Sequence, residues 1–575
     1  MRSIKLLILS FSFFFLFLLP VSAAGKISKT LKKAHDATCS VMTYDADGYL
    51  IGSGQGFFIG ERCELLAPYT LFLGARSAVT IDAAGTTRQV LKVKGADELY
   101  DVIRLTVETD KKQKSLAADS IALSVGQRLY MPPVSSAKKE IGDWFTVRKV
   151  EDVSNGHNYY TLLGPSASAS LAGRPLLTEE GQLAAVMQPS GEGDTLFYAL
   201  DARFGKKLDI KALTLNEPSY RNLVFPKSLP EDAEQAQVYL FIVASQNDTD
   251  YYGEIIESFI SQFPDNAEGY IRRAAFQVAK GDSIHLEQAE ADQAKALELS
   301  PDKDAIHYQI GCQMVDAISS DSAFHYKDWT LERAAAEMEQ AIATNPLAIY
   351  YQHLGDIRLA LNDDEGALNA YLAICQMPDA TSDNYYNAAI ACEQLPDGYE
   401  RAVALMDSAV VKASPAGATP DANLAYQSAP FVLERALMKA RHEKYRPAVA
   451  DFNLYEQLAG TSVNDRFYYL REQAEASARM FQQALDDIDL AYSINPLAAY
   501  LLEKATLNIR VGRNDEALPI LESLIASYPN DMDCNRLLGY CYAVKGDTRR
   551  ARPLLERAIS LGDATASTLL ERYCK

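Results

Sequence analysis

Residues 538–558 read LGYCYAVKGDTRRARPLLERA, and the order of small and large side chains in this stretch decides the fold of the C-terminal half. Leu538-Gly539, Tyr542, Gly546, Ala551, Leu555 and Ala558 suit two short helices joined by a tight turn. The small residues let the helix backbones approach, and the large ones fill the space against the next pair. Alanine returns at one helix-packing position at Ala289, Ala334, Ala367, Ala402, Ala448, Ala484, Ala517 and Ala551, at intervals of 45, 33, 35, 46, 36, 33 and 34. Leu354-Gly355 with Ala367 and Tyr371 is another good copy, and Gly512, Ala517, Leu521 and Pro529 form a third. Prolines follow the pairs at Pro301, Pro346, Pro378, Pro415, Pro496 and Pro529, with Pro264 marking an earlier one. The two long intervals place about eleven extra residues around 319–329 and 417–430, expected as longer loops.

A period near 34 with these columns resembles the tetratricopeptide repeat. The resemblance implies a solenoid of eight or nine helix hairpins over 231–575, binding partners along a concave face lined by the first helix of each hairpin. Counted from the Leu-Gly columns, Tyr308, Leu433, Tyr469, Leu502, Arg510, Arg536 and Tyr540 are the expected inward-facing, partner-binding residues. Packing between repeats is the alternative role for each tyrosine. The Lys/Asn set of a carboxylate-clamp groove is not found, so an aromatic-lined groove for an extended peptide or a protein surface is expected.

Residues 25–215 have a different grain. SVMTYDADGYLIGSGQGFFIG, SAVTIDAAGTTRQVLKVKG, DVIRLTV, EIGDWFTVRKVEDV, HNYYTLLG and QLAAVMQ alternate apolar and polar residues and break at Asp-Gly or Ala-Gly. That pattern predicts ten to twelve short strands closing into one or two barrels. Pro218, Pro226 and Pro230 then punctuate an extended linker, 216–230.

The motif order in the β-rich part resembles a trypsin-like serine protease of the kind related to bacterial periplasmic stress proteases. Gly52-Ser53-Gly54-Gln55-Gly56-Phe57-Phe58 fits that family's first conserved strand. The segment Leu65 to Ala75 fits the histidine element, with Thr70 at the histidine position. Asp101, in Tyr100-Asp101-Val102-Ile103-Arg104-Leu105, fits the aspartate. Ser170-Leu171-Ala172-Gly173-Arg174-Pro175 fits the nucleophile loop, with Ala172 at the serine, and Gly181 to Val186 fits the following strand. The family mechanism needs a hydroxyl to attack, an imidazole to accept its proton and a carboxylate to orient the ring. Thr70 supplies no base and Ala172 no nucleophile, and loss of either group costs on the order of a million-fold in turnover. Arg174 also replaces a loop glycine. The resemblance therefore implies a trypsin-like double barrel that is catalytically degenerate at Thr70, Asp101 and Ala172, with Asp101 kept as a hydrogen-bonding residue. A shifted pair such as Ser170 with His157 would have to replace the triad. Ser166, Ser168 and His35 are the other nearby candidates, and His157, in Asn155-Gly156-His157-Asn158, reads as a solvated turn histidine.

At the N-terminus, Arg2 and Lys5 precede an apolar run from Leu6 to Leu19, then Pro20 and Val21-Ser22-Ala23-Ala24. This is the order of a secretory signal cleaved near Ala24, and the run is shorter than the roughly 20 residues of a membrane span. Export to a periplasmic or extracellular space is expected, with no later membrane span. In such a compartment the eight cysteines can pair. Cys534 and Cys541, seven residues apart on one helix, lie about 10.5 Å apart and cannot bridge. Cys39 with Cys63, and Cys375 with Cys392, stay open; for most, including Cys312 and Cys574, packing as small apolar side chains is expected. Asn247-Asp248-Thr249 has the form of a glycosylation sequon.

The 575 residues are 48% hydrophobic with a net charge of −20, which excludes a disordered chain and argues against nucleic-acid binding. The charge is uneven: residues 25–215 hold 23 Lys/Arg against 22 Asp/Glu, and the 360 residues beyond them 31 against 54. An acidic solenoid favours partners with neutral or basic surfaces. No nucleotide-binding loop, dinucleotide fingerprint or metalloprotease motif occurs, no cofactor or metal is expected, and paired acids such as Glu179-Glu180 and Asp486-Asp487 read as solvated faces. The sequence supports an exported, non-enzymatic protein-binding scaffold first. An extracytoplasmic serine-type peptidase using other residues is the alternative, and a barrel that only caps the array is the third reading.

Overall fold

β1 (Thr38–Tyr44) buries Cys39, Val41 and Thr43 and turns the residues between them outward, the period that lets a sheet curl around a core. In the computed structural model the described residues are 31, 34–108, 113–117, 121–133, 142–154, 156–165, 171–190, 196–246, 248–414 and 422–574. The proposed signal segment 1–24, Ser166, Ser168, Ser170, Asn247 and Pro415 lie outside them. The chain divides into two units, one ending at Arg273 and the other beginning at Ala274.

The first unit holds two six-stranded antiparallel barrels, the trypsin-like double-barrel shape. β1 is followed by β2 (Leu50–Ile59), β3 (Glu64–Ala67), β4 (Ser77–Asp82), β5 (Thr87–Asp97) and β6 (Val102–Val107), ordered 1-2-3-6-5-4 and closed by β1 on β4. β7 (Arg128–Met131), β8 (Asp143–Ser154), β9 (His157–Leu163), β10 (Pro175–Leu177), β11 (Leu183–Met187) and β12 (Leu196–Asp201) repeat that order and close through Leu177 opposite Tyr130. β4 covers β5 only at Thr87–Gln89, so the β5 edge beyond them is left for another segment to pair. Phe145, Phe197, Tyr160 and Leu162 fill the second barrel, with the Phe145 and Phe197 rings edge to face at 5.1 Å. Phe57, Leu66 and Val102 of the first barrel share a buried cluster with Tyr130, Val186 and Leu200 of the second, so apolar burial holds the barrels together.

Past β12 the chain returns to the first barrel. The helix Ala202–Lys207 is capped by Asp201, and its C-terminal end meets the Arg104 guanidinium, which donates to the carbonyls of Lys206 (2.7 Å) and Leu208 (3.0 Å). A cation there suits the negative end of the helix dipole. The proline-punctuated segment 216–230 is not free chain. Val93 N–H of β5 donates to Pro226 O and Ser228 N–H donates to Val93 O, both at 2.8 Å. Ala96 N–H donates to the Tyr220 hydroxyl at 2.9 Å, and Phe225, 1% exposed, packs edge to face on Phe72. The segment is a strap bonded across β5. The antiparallel helices Ala233–Ala244 and Thr249–Gln262 follow it, and Gln262 donates back to Pro230 O at 2.8 Å.

The second unit is a helical repeat array. Among the described residues the helices Ala267–Val278 and Ser283–Leu299 are followed by seven antiparallel pairs from Lys303 to Ser560, and then by Ala564–Tyr573. Alanines 289, 334, 367, 402, 448, 484, 517 and 551 all have no exposed surface, as a close helix–helix column requires. At Gly355, a Cβ would lie 2.3 Å from the Tyr371 ring, which explains the Leu-Gly column. The first expected loop, 319–329, folds back onto the helix Ser283–Leu299: Trp329, 4% exposed, donates through Nε1 to Glu290 at 3.2 Å. The second differs from expectation, because from Ala422 its residues are helix, in the 20-residue Ala422–Arg441 that contains Pro430.

One lock occurs twice with the same chemistry. Asp304 accepts from Asn345 Nδ2 and the Tyr350 hydroxyl, each at 3.0 Å. Asp465 accepts from Asn495 Nδ2 at 3.0 Å and the Tyr500 hydroxyl at 2.8 Å. In both, a first-helix aspartate grips the Asn-Pro-Leu-Ala turn that opens the next pair.

Candidate functional site

Thr70 lies on the single 3₁₀ turn Tyr69–Phe72, and Asp101 on the tight turn before β6, with a positive φ of 43°. Asp101 Oδ1 accepts the Thr70 backbone N–H at 2.8 Å. Burial pushes the Asp101 carboxyl up, and hydrogen bonds from Thr70 and from Tyr69 N–H oppose that rise. The carboxylate is therefore taken up in closing the turn that carries Thr70, the hydrogen-bonding role expected for it.

Ala172 is 9% exposed, in the turn before β10. Gly173 has φ +80°, and a Cβ there would lie 2.4 Å from Gln55 O and 2.5 Å from Pro68 Cδ. Only glycine lets the loop of one barrel approach β2 and the Pro68 turn of the other this closely. Pro68 is two residues from Thr70, so the structure brings the Thr70, Asp101 and Ala172 elements to one junction between the barrels. The N–H groups after Ala172 are engaged internally, Gly173 to Met187 O (2.9 Å) and Arg174 to Leu171 O (3.4 Å), and the Arg174 guanidinium donates to Pro132 O. Ala172 contributes a methyl group and Thr70 a turn N–H and hydroxyl, none of which is a base near neutral pH.

His157 differs from its reading as a solvated turn residue. It is 5% exposed and its ring stands edge to face on Phe204 at 5.6 Å, because the strand β9 starts with it and turns it into the barrel. His35 lies 3.7 Å from Asp36. All eight cysteines are free thiols.

In the array, the expected partner-binding residues are each engaged with a neighbouring helix. The Tyr308 ring packs tilted on Tyr350 at 5.0 Å and its hydroxyl bonds His353 Nε2 at 3.2 Å, and Tyr469 packs on Tyr500 at 5.3 Å. These two tyrosines sit one turn after the lock aspartates, Asp304 and Asp465. Tyr540 meets Tyr573 edge to face at 6.0 Å. Leu433 and Leu502 pack against the buried clusters of their own repeats. Arg510 lies over the Phe481 ring at 5.3 Å, and Arg536 pairs with Asp563 at 2.6 Å. A groove of about 710 Å³ opens elsewhere, between Ser382–Glu393, Tyr399–Ala413 and Ala422–Arg441, lined by Tyr386, Phe431, Lys412 and Glu434.

Sequence reading missed a buried charge network. Arg471 holds Asp487 in a bidentate pair at 2.6 and 2.8 Å and reaches Glu456 at 2.5 Å. Asp486 is exposed as expected, but Asp487, read with it as a solvated acid, is 4% exposed. Arg435 and Asp451 make the same bidentate pair one repeat earlier, at 2.9 and 2.7 Å, where Lys439 also reaches Asp451 at 2.7 Å. The residue equivalent to Lys439 is Glu475. Beside it Glu472 has no exposed surface, and neither of its carboxylate oxygens has a partner. The sixteen-residue Arg-to-Asp spacing was the available signal for the pairs.

Among the described residues no cluster of His, Cys, Asp or Glu suits a metal ion, and no helix is long and apolar enough to cross a membrane. No protein-family model matches the chain, and comparison with curated proteins finds no match.

Proposed function

We propose that the protein is an exported, non-catalytic scaffold: a degenerate trypsin-like domain, a pseudoprotease, joined to a tetratricopeptide-repeat array that binds other extracytoplasmic proteins. The observation that carries the reading is the Asp101 carboxylate, given over to the Thr70 turn while Ala172 presents a methyl where a nucleophile would stand. With no hydroxyl at Ala172 and no imidazole at Thr70, the two positions lack the groups through which that family forms its acyl intermediate. The eight buried alanines and the Gly355–Tyr371 contact support the repeat assignment, and hairpin arrays of this kind bind partners through side chains on a continuous face. The acidic composition of the array favours neutral or basic partner surfaces, with association that slows as salt rises. The aromatic groove at Tyr386 and Phe431 fits an extended peptide.

Treating the purified full chain with a fluorophosphonate serine probe tests the first half, and no labelling is expected. Labelling abolished by Ser170→Ala would overturn the pseudoprotease reading. Capture from the native envelope fraction, at low and high salt, tests the second half. Partners retained equally by a chain carrying Tyr386→Ala and Phe431→Ala would remove the groove from the reading.

A further inference from the structure

The strap builds a pocket of about 370 Å³ against the first barrel and the helix Thr249–Gln262, and its charge is out of balance. Arg76, Arg221 and Lys227 line it with Tyr220 and Val224, and Glu254 is the one carboxylate in the lining. Elsewhere in this unit Arg88 pairs with Asp82, Arg104 with Glu64, Arg203 with Asp201 and Lys94 with Glu231. Among the described residues no ion pair joins Arg76, Arg221 or Lys227 to an acid.

Lys227 is held there by the backbone. Pro226 and Ser228 on either side bond to Val93, and Phe225 is buried against Phe72. Its ammonium donates to Leu223 O at 2.6 Å, which leaves two N–H donors. Burial first, and the Arg76 guanidinium second, hold this ammonium below its ordinary range. Two like charges on a pinned support, with unused donors and an apolar wall, repel each other until an anion sits between them. A guanidinium fork matches two oxygens of a tetrahedral oxyanion, and an ammonium meets a third.

We propose that this pocket binds a compact oxyanion of the phosphate class, as free phosphate or as the phosphoryl end of a small organic ester. Residues 25–215 hold 23 Lys/Arg against 22 Asp/Glu, so this local cationic site is not part of a general basic surface. The site lies on the strap and first barrel and does not depend on the pseudoprotease reading.

Titration calorimetry of the full chain with inorganic phosphate, and separately with phenyl phosphate, against chloride of equal ionic strength is the test. Saturable binding is expected, weakened at least tenfold by Arg76→Gln or Lys227→Gln and unchanged by Arg148→Gln on the second barrel. Arg76 is exposed and makes no ion pair among the described residues, so Arg76→Gln leaves the fold intact even if Lys227→Gln disturbs the strap. Equal affinities assign the site to free phosphate and tighter binding of the phenyl compound to an ester, and either upholds it. No binding beyond chloride, or binding indifferent to Arg76→Gln, overturns it.

Discussion

Replacing Glu472 by glutamine should make the helical unit more stable at neutral pH. Glu472 is fully buried, both its oxygens lack partners, and burial together with Glu503, Glu475 and Asp487 pushes its carboxyl up to about 8, with Arg510 opposing. Glu475 is raised to about 8 as well, by burial and then by Asp487, with Arg471 opposing and Asp486 and Glu456 adding. In the unfolded chain both groups ionise near the ordinary glutamate value. Between about pH 4.5 and 8 the native state therefore binds more protons than the unfolded state, and stability falls as pH rises across that window. At pH 7, some 2.5 pH units above that ordinary value, keeping Glu472 neutral costs about 3 kcal/mol at 1.36 kcal/mol per unit. Glutamine has the same shape and needs no proton. Urea unfolding followed by circular dichroism at 222 nm should show Glu472→Gln about 3 kcal/mol more stable at pH 7, little changed at pH 4.5, and with a shallower pH slope than wild type, Glu475 supplying the remainder. A wild-type stability that is flat from pH 5 to 8, or a Glu472→Gln protein that is weaker at pH 8, would refute the reasoning.

Asp465→Ala should cost about 1–3 kcal/mol by leaving Asn495 and Tyr500 without their acceptor, and Asp304→Ala should cost a similar amount because its geometry is the same; urea midpoints measure both. Gly355→Ala pushes a methyl into the Tyr371 ring and should lower stability by about 1–3 kcal/mol, relieved in part when Tyr371→Phe removes the hydroxyl's bond to Asp356 and lets the ring shift. Asp101→Ala removes the acceptor of Thr70 N–H and should destabilise the first unit by about 1–2 kcal/mol, read by Trp144 fluorescence in a Trp329→Phe background.

The repeat period was legible because each alanine is a small, fully buried residue on a helix, where a larger side chain has no room. The barrels were legible for a similar reason: period-two alternation and turn residues are local signals. What stayed hidden was set by distant neighbours. His157 follows a glycine and looks like turn chemistry, yet its burial is decided by Phe204 on a helix reached only after β12. Asp486 and Asp487 are alike in sequence, and only the rotation of Phe481–Ile494 separates the exposed acid from the one gripped by Arg471. Residue identity alone showed a threonine at 70 and an alanine at 172, whereas the bond from Thr70 N–H to Asp101 was visible only in the fold. The strap escaped because proline-rich spacing is the same whether a segment hangs free or lies along β5.

That strap bears on how the protein is made. Val93 and Pro226 are separated by the whole second barrel, so the first barrel, begun earliest on the ribosome, is covered last. Until residues 225–228 emerge, Phe72 and the Val93 backbone stay open to solvent. A chain stopped near residue 215 would carry two barrels' worth of strands and still lack the piece that seals the first.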